Sequence, residues 1–385
     1  MPGPLSGYKV IELAGLGPCP FAAMLLTDLG AEVLRIDRPN SDVDPASARE
    51  DLMLRGRRSV ALDLKSAEGV ATFLSLVERA DAVIEGFRPG VMERLGIGPG
   101  ECLRRNPRLI FGRMTGFGQD GPYATAAGHD INYIALAGAL AHIGTRDAGP
   151  VMPLNLLGDF GGGGMFLALG VLAALLERAH SGRGQVVDTA MVDGTAVLMT
   201  MLWGYARIGK FDPDHLGENL LDGGTHYYRP YRCADGKYVS IGSIEPKFYA
   251  ELLRLTGIDG ESLPDQQDRS AWRDMSERLE KLFAQRTRRE WCEIMEYTDV
   301  CFAPILTMAE AAEHPHNVQR RTFVESHGVT QPAPAPRFSR TAAALDRAPA
   351  IPGEHTRQAL LDWGIDPGVV DDLIASAAAS EYKPV

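Results

Sequence analysis

KVIELAG at Lys9–Gly15, PCPFAAMLLTDLGA at Pro18–Ala31 and EVLRIDRP at Glu32–Pro39 decide the fold class of this 385-residue chain. The outer two runs have the length and apolar content of buried strands, and the middle one is a helix opened by proline. Strand, helix and strand in one short span begin a doubly wound parallel sheet, and the pattern goes on outward. SVALDL, an apolar-periodic helix over 67–79, ADAVIEGF and LIFGRMTGFG follow in turn. Such alternation predicts an α/β fold with helices on both faces and ligands beyond the carboxyl ends of the strands. GLGPCP at Gly15–Pro20, with Asp37 further on, imitates a dinucleotide fingerprint. Pro20 replaces the third glycine, so the segment reads as a helix start and not as a nicotinamide site.

After Trp203 the chain turns rich in Gly and Asp and loses periodicity, as expected of a linker. From Tyr227 the strands YYRPYRCA and YVSIGSI surround a DG turn, and helices are expected over 246–255 and 271–297. QPAPAPRFSR then reads as an extended, proline-rich segment. The formal charge of −11 excludes nucleic acid and an anionic membrane surface as main partners. The five cysteines form no C-x-x-C pair, so reduced thiols are expected, with neither disulfide frame nor metal site. The start of the chain has no signal-peptide pattern, and the apolar stretch Met165–Leu176 is too short to span a bilayer; a cytoplasmic location is expected.

Two glycine-supported turns carry the chemistry. GHDINY at Gly128–Tyr133 presents a histidine, and GDFGGGG at Gly158–Gly164 presents a carboxylate ahead of the apolar helix MFLALGVLAALLERA. The glycines are expected to leave helix N–H groups uncovered near Asp159, where they would stabilise a developing oxyanion. A histidine near neutrality can take a proton from carbon only with such help, so His129 as base and a protonated Asp159 as acid would suit an enolate.

At these segments the chain resembles the α-methylacyl-CoA racemases, within the wider family III CoA-transferase superfamily. The resemblance runs through PLSGYKVIELAGLGP, RMTGFGQDGP, GHDINYIALAG, PLNLLGDFGGGG, GRGQVVDTAMVDG, NLLDGG, DGKYVSIGSIEPKFY and PAPRFSRT. It implies that His129 and Asp159 are the acid and base, with Glu245 of the IEP motif as the partner of the histidine. It places CoA contacts on Arg38, on Leu62, Asp63, Leu64 and Lys65, on Gly86, Phe87 and Arg88, on Arg94, and on Gly128, Asp130, Ile131, Asn132 and Tyr133. The implied fold is a large Rossmann-like CoA-binding domain from 1–200 and 320–385, a linker over 201–224 and a smaller α+β domain over 225–319. Two such subunits are expected to interlock as a homodimer, with Glu245 reaching His129 across it.

The implied activity is inversion of the 2-methyl centre of branched acyl-CoA thioesters, with CoA as part of the substrate and no cofactor or metal. The alternative is CoA transfer with Asp159 as nucleophile. Transferases of the superfamily tend to show tyrosine where this chain has His129, which favours the racemase. A CoA-binding protein without catalysis would not need the acid-base pair. Met152, Met165, Met191, Met199 and Met201 read as core filling. At Thr225–His226 the racemases tend to read alanine and proline, and His226 is expected to adjust the groove without taking a proton.

Overall fold

The computed structural model describes residues 3–39, 43–260 and 263–383. Six parallel strands form the main sheet: β1 (Lys9–Leu13), β2 (Glu32–Asp37), β3 (Arg58–Leu62), β4 (Ala82–Glu85), β5 (Ile110–Thr115) and β6 (Gln185–Ala190). A short strand, Ala379–Ser380, joins β3 antiparallel at one edge. The order from that edge is β3-β2-β1-β4-β5-β6, so the winding reverses between β1 and β4. A crevice at the carboxyl ends of those two strands is the place such a sheet offers a ligand.

Strand periodicity puts successive residues on opposite faces, and two separate cores result. Ile11 and Leu13 face a cluster that includes Phe73 and Leu76 of helix α2 (Ala67–Val77) and Leu360 and Trp363 near the C-terminus. Val10 faces the other, which holds Ala22 and Leu26 of helix α1 (Pro18–Asp28) together with Leu167 and Val171. The alternation of elements read from the sequence is therefore present, with helices on both faces.

Between β5 and β6 lie helix α3 (Asp130–Leu136) and a π-helical segment, Leu156–Gly164, continuous with helix α4 (Met165–Ser181). The twelve-residue apolar stretch expected here is thus part of one helix, Leu156–Ser181, of 26 residues, long and apolar enough by length and composition to cross a membrane. Its Leu167, Val171, Ala174 and Leu175 belong to the core.

The chain divides into two compact units, one of 1–137, 154–198 and 321–385, the other of 138–153 and 199–320. The second unit has a three-stranded antiparallel sheet, Phe302–Ile305, Tyr238–Gly242 and Tyr228–Arg232, backed by helices Pro246–Thr256, Trp272–Phe283 and Arg288–Met295. Tyr231, Val239, Leu252, Phe283 and Trp291 share its core. Two stretches differ from the sequence reading. Residues 138–153 go with the second unit, and 199–224 are built into it instead of linking. Asn219 explains the latter: it is buried, its amide donates to the carbonyls of Asp212 and His215 and to Asp222, and it closes the loop into a knot. The single helix expected over 271–297 is two, because Thr287 caps a new one with Glu290.

Candidate active site

Gly17 follows β1 with a φ of 68°, and a Cβ there would lie 3.3 Å from the Asp159 carboxylate oxygen. Asp159 therefore stands at the carboxyl end of β1, at the reversal of the sheet. The segment read as a dinucleotide decoy is the wall against which the carboxylate rests. Gly86, following β4, is the other side of the reversal, and a Cβ there would meet Cys19 at 3.3 Å.

Each residue of GHDINY has a defined place. His129 is exposed and forms the cap of α3, and its N–H donates to Oδ1 of Asn132 at 3.0 Å. Asp130 is buried, and its Oδ1 accepts from the Asp159 N–H at 2.6 Å. Ile131 is exposed, while the Tyr133 ring is in the core, edge-on to Phe117, with its hydroxyl donating to the Gly128 carbonyl. Gly128 is needed because a Cβ would come within 2.8 Å of that ring. Of the five CoA contacts expected here, then, Gly128, Asp130, Asn132 and Tyr133 are occupied with one another or with the turn beside them.

The Asp159 carboxyl is half-buried and accepts from Asn155 at 3.3 Å. Burial raises its pKa above the ordinary carboxylate value; the Asn155 hydrogen bond opposes this, Asp130 adds to it and His129 opposes it. The net direction is toward easier protonation than an ordinary carboxylate.

The glycine run has a different purpose from the one its sequence suggests. It is itself helical, so its N–H groups are engaged in the wide turns instead of lying open. A Cβ on Gly162 would lie 2.6 Å from Thr195 Oγ1, one on Gly163 2.8 Å from Met191, and one on Gly164 2.7 Å from the Pro18 carbonyl. The run lets the segment pass close to α1 and to helix Met191–Leu198.

The remaining expected contacts lie at neighbouring strand ends. Arg38 follows β2, Leu62–Lys65 end β3, and Gly86–Arg88 follow β4; Arg38, Lys65, Gly86, Arg88 and Arg94 are exposed. Leu62 is core, and Asp63 is held in the turn: its side chain accepts from the Lys65 N–H at 2.9 Å and its own N–H donates to the Ala378 carbonyl at 2.7 Å. Glu85 is fully buried and was missed by sequence reasoning. Its Oε2 accepts from the Phe87 N–H at 2.7 Å and its Oε1 pairs with Arg113 at 2.9 Å, which fixes the Gly86–Arg88 loop.

Glu245, in the second unit, is exposed and caps helix Pro246–Thr256. His226 of that unit is not on a groove, as expected from sequence, but is buried with its Nε2 2.9 Å from the Tyr249 hydroxyl. Met191 is core, whereas Met152, Met165 and Met201 are about half or more exposed. Among the described residues no cluster of His, Cys, Asp or Glu could hold a metal ion.

Residues 5–356 match the model of CoA-transferase family III. The chain is 46% identical to the alpha-methylacyl-CoA racemase of Mus musculus, over 94% of this chain and 93% of that one. It is 44% identical to the enzyme of the same name from Homo sapiens, with the same two coverages of 94% and 93%. A crystal structure of a CAIB/BAIF family protein from Brucella suis matches with a TM-score of 0.81 and 26% identity, over 94% of this chain and all of that one.

Proposed function

The chain belongs to CoA-transferase family III, and from that premise we propose that it is a racemase inverting the 2-methyl centre of 2-methylacyl-CoA thioesters. The observation that supports this reading is Asp159 at the reversal of the sheet, its N–H bonded to Asp130, the residue after His129, in a chain 46% and 44% identical to two enzymes named for this activity.

His129 takes the α-proton from one face, the thioester oxygen gains the charge of the enolate, and Asp159 returns a proton to the other face. The proton then on His129 and the charge then on Asp159 are reset through water. In the opposite direction the imidazolium is the acid and the carboxylate the base. The oxyanion donors are the N–H groups of Asp130 and Ile131 in the first turn of α3, beside the base. They replace the glycine N–H groups expected from sequence. Arg38, Lys65, Arg88 and Arg94 hold the phosphates and adenine, where arginine offers paired donors and a stacking face.

Met165, Leu169 and Leu176 leave an apolar strip on α4, and Val186 is exposed on β6 at the sheet edge. Exposed apolar surface next to an open edge supports assembly with a second copy, the homodimer in which Glu245 of one subunit would orient His129 of the other. Cytoplasmic residence and independence of any cofactor complete the reading.

The test is proton NMR of a 2-methylacyl-CoA in D₂O. The α-proton signal is expected to vanish as the centre inverts, and His129→Ala and Asp159→Asn each to abolish inversion. Inversion with the protium retained would sink the mechanism. Trapping of an acyl-Asp159 anhydride together with CoA transfer to a second acid would establish the transferase instead.

A further inference from the structure

We propose that Asp130 is a positioning residue for the reaction: its buried carboxylate anchors the turn bearing Asp159 and presents an uncompensated negative charge to that acid. The inference rests on the racemase reading for its kinetic consequences. Its structural part stands alone.

Asp130 follows His129 directly in the chain, at the first position of α3. One carboxylate oxygen accepts from the Asp159 N–H at 2.6 Å, a charge-assisted bond. The opposing residue must be glycine for this approach: a Cβ on Gly158 would lie 2.5 Å from the same oxygen and 2.9 Å from the carboxyl carbon. The other oxygen, Oδ2, is buried without a hydrogen-bond partner among the described residues. A single side chain thus ties the base-bearing cap to the acid-bearing turn, and fixes their separation more tightly than two independent loops could.

The charge has a direction of its own. After burial and the opposing Asn155 bond, Asp130 is the neighbour that raises the Asp159 pKa, and His129 works against it. The Tyr133 phenol also faces these groups: burial and then Asp159 raise it, Arg88 lowers it and Asp130 raises it. Removing the Asp130 charge should let Asp159 lose its proton at lower pH.

Two variants separate anchor from charge. Asp130→Ala removes both; Asp130→Asn keeps an acceptor and removes the charge. Amide hydrogen exchange of the peptide covering 156–164, measured without substrate, should lose protection in the alanine variant and keep it in the asparagine variant. Turnover should fall about tenfold to a hundredfold for alanine, with KM changed less than about threefold. Asparagine should recover most of kcat while the pH limb on which Asp159 ionises moves down.

Unchanged protection and kcat in Asp130→Ala would overturn the proposal, as would an asparagine variant equally impaired with an unmoved limb. Should the alanine variant not fold, Gly158→Ala attacks the same bond from the other side and is expected to expose the same peptide to exchange; retained protection there would overturn the anchor. A wild-type enzyme that neither inverts nor exchanges the α-proton would refute the racemase reading and leave the exchange result standing.

Discussion

Replacing His226 by phenylalanine should change how stability depends on acidity, and by an amount the structure sets. The ring is about 1% exposed, edge-on to Tyr227 and Tyr249, and burial alone lowers its pKa from 6.5 to about 4. Its Nε2 meets the Tyr249 hydroxyl, which burial raises to about 12, so that group stays protonated throughout the acid range. The unfolded chain binds a proton at this histidine below pH 6.5 while the folded chain resists until about pH 4. The contribution is therefore fully present above 6.5 and is lost as pH falls to about 4. Each tenfold change in proton affinity is worth about 1.4 kcal/mol, so the whole difference is roughly 3 kcal/mol. Phenylalanine leaves Tyr249 without its partner, at a cost of about 1 to 3 kcal/mol that does not vary with pH in this range. Urea unfolding of the second unit's tryptophans at several pH values from 7.5 to 4 gives the test. The carboxylates titrate alike in both proteins and cancel in the difference. Wild type should lose about 3 kcal/mol relative to His226→Phe across that range; parallel curves would refute the burial argument.

The same substitution at two glycines should impair different properties. Gly17→Ala forces a φ of 68° on an L-residue and brings a Cβ to 3.3 Å from the Asp159 carboxylate, so kcat should fall by about tenfold or more with modest loss of stability. Gly162→Ala crowds Thr195 at 2.6 Å and should lower the unfolding midpoint, at about 1 to 3 kcal/mol; a variant with full thermal stability would show that the close packing is not needed. Glu85→Gln keeps an acceptor for the Phe87 N–H but loses the buried pair with Arg113, so KM for the thioester should rise more than kcat falls. An unchanged KM would detach this loop from CoA binding.

The parallel, doubly wound character of the main sheet was legible because buried parallel strands and their crossover helices are strong, local and alternating signals. Val10 and Ile11 show how cleanly one strand serves two cores. The domain division was less legible: Asn219 and Asp222 look like loop residues in sequence and become a knot only when Asp212 and His215 come round to meet them. The glycine run misled for a related reason. Glycine before a helix suggests open N–H groups, but contacts with Thr195, Met191 and Pro18, distant in sequence, decide that these glycines are there for close approach. Gly17 was visible only as part of an imperfect fingerprint. Its position against Asp159 depends on bringing together two segments more than a hundred residues apart.

The choice between proton transfer and acyl transfer turns on the state of one carboxyl. A nucleophile attacks as the carboxylate, whereas an acid that completes an inversion must hold its proton until the enolate forms. At Asp159 burial and the Asp130 charge act toward the protonated form, with Asn155 and His129 opposing. His129 opposes only while it carries charge, so a neutral imidazole, the form that can take the α-proton, leaves the acid closer to neutral as well. On the proposed mechanism, deprotonation by His129 would create a cation, and the same coupling would help Asp159 release its proton to the enolate. On that mechanism the two groups would pass through complementary states over one turnover. The bond from Asp159 to the residue after His129 keeps their backbones in register while they do so.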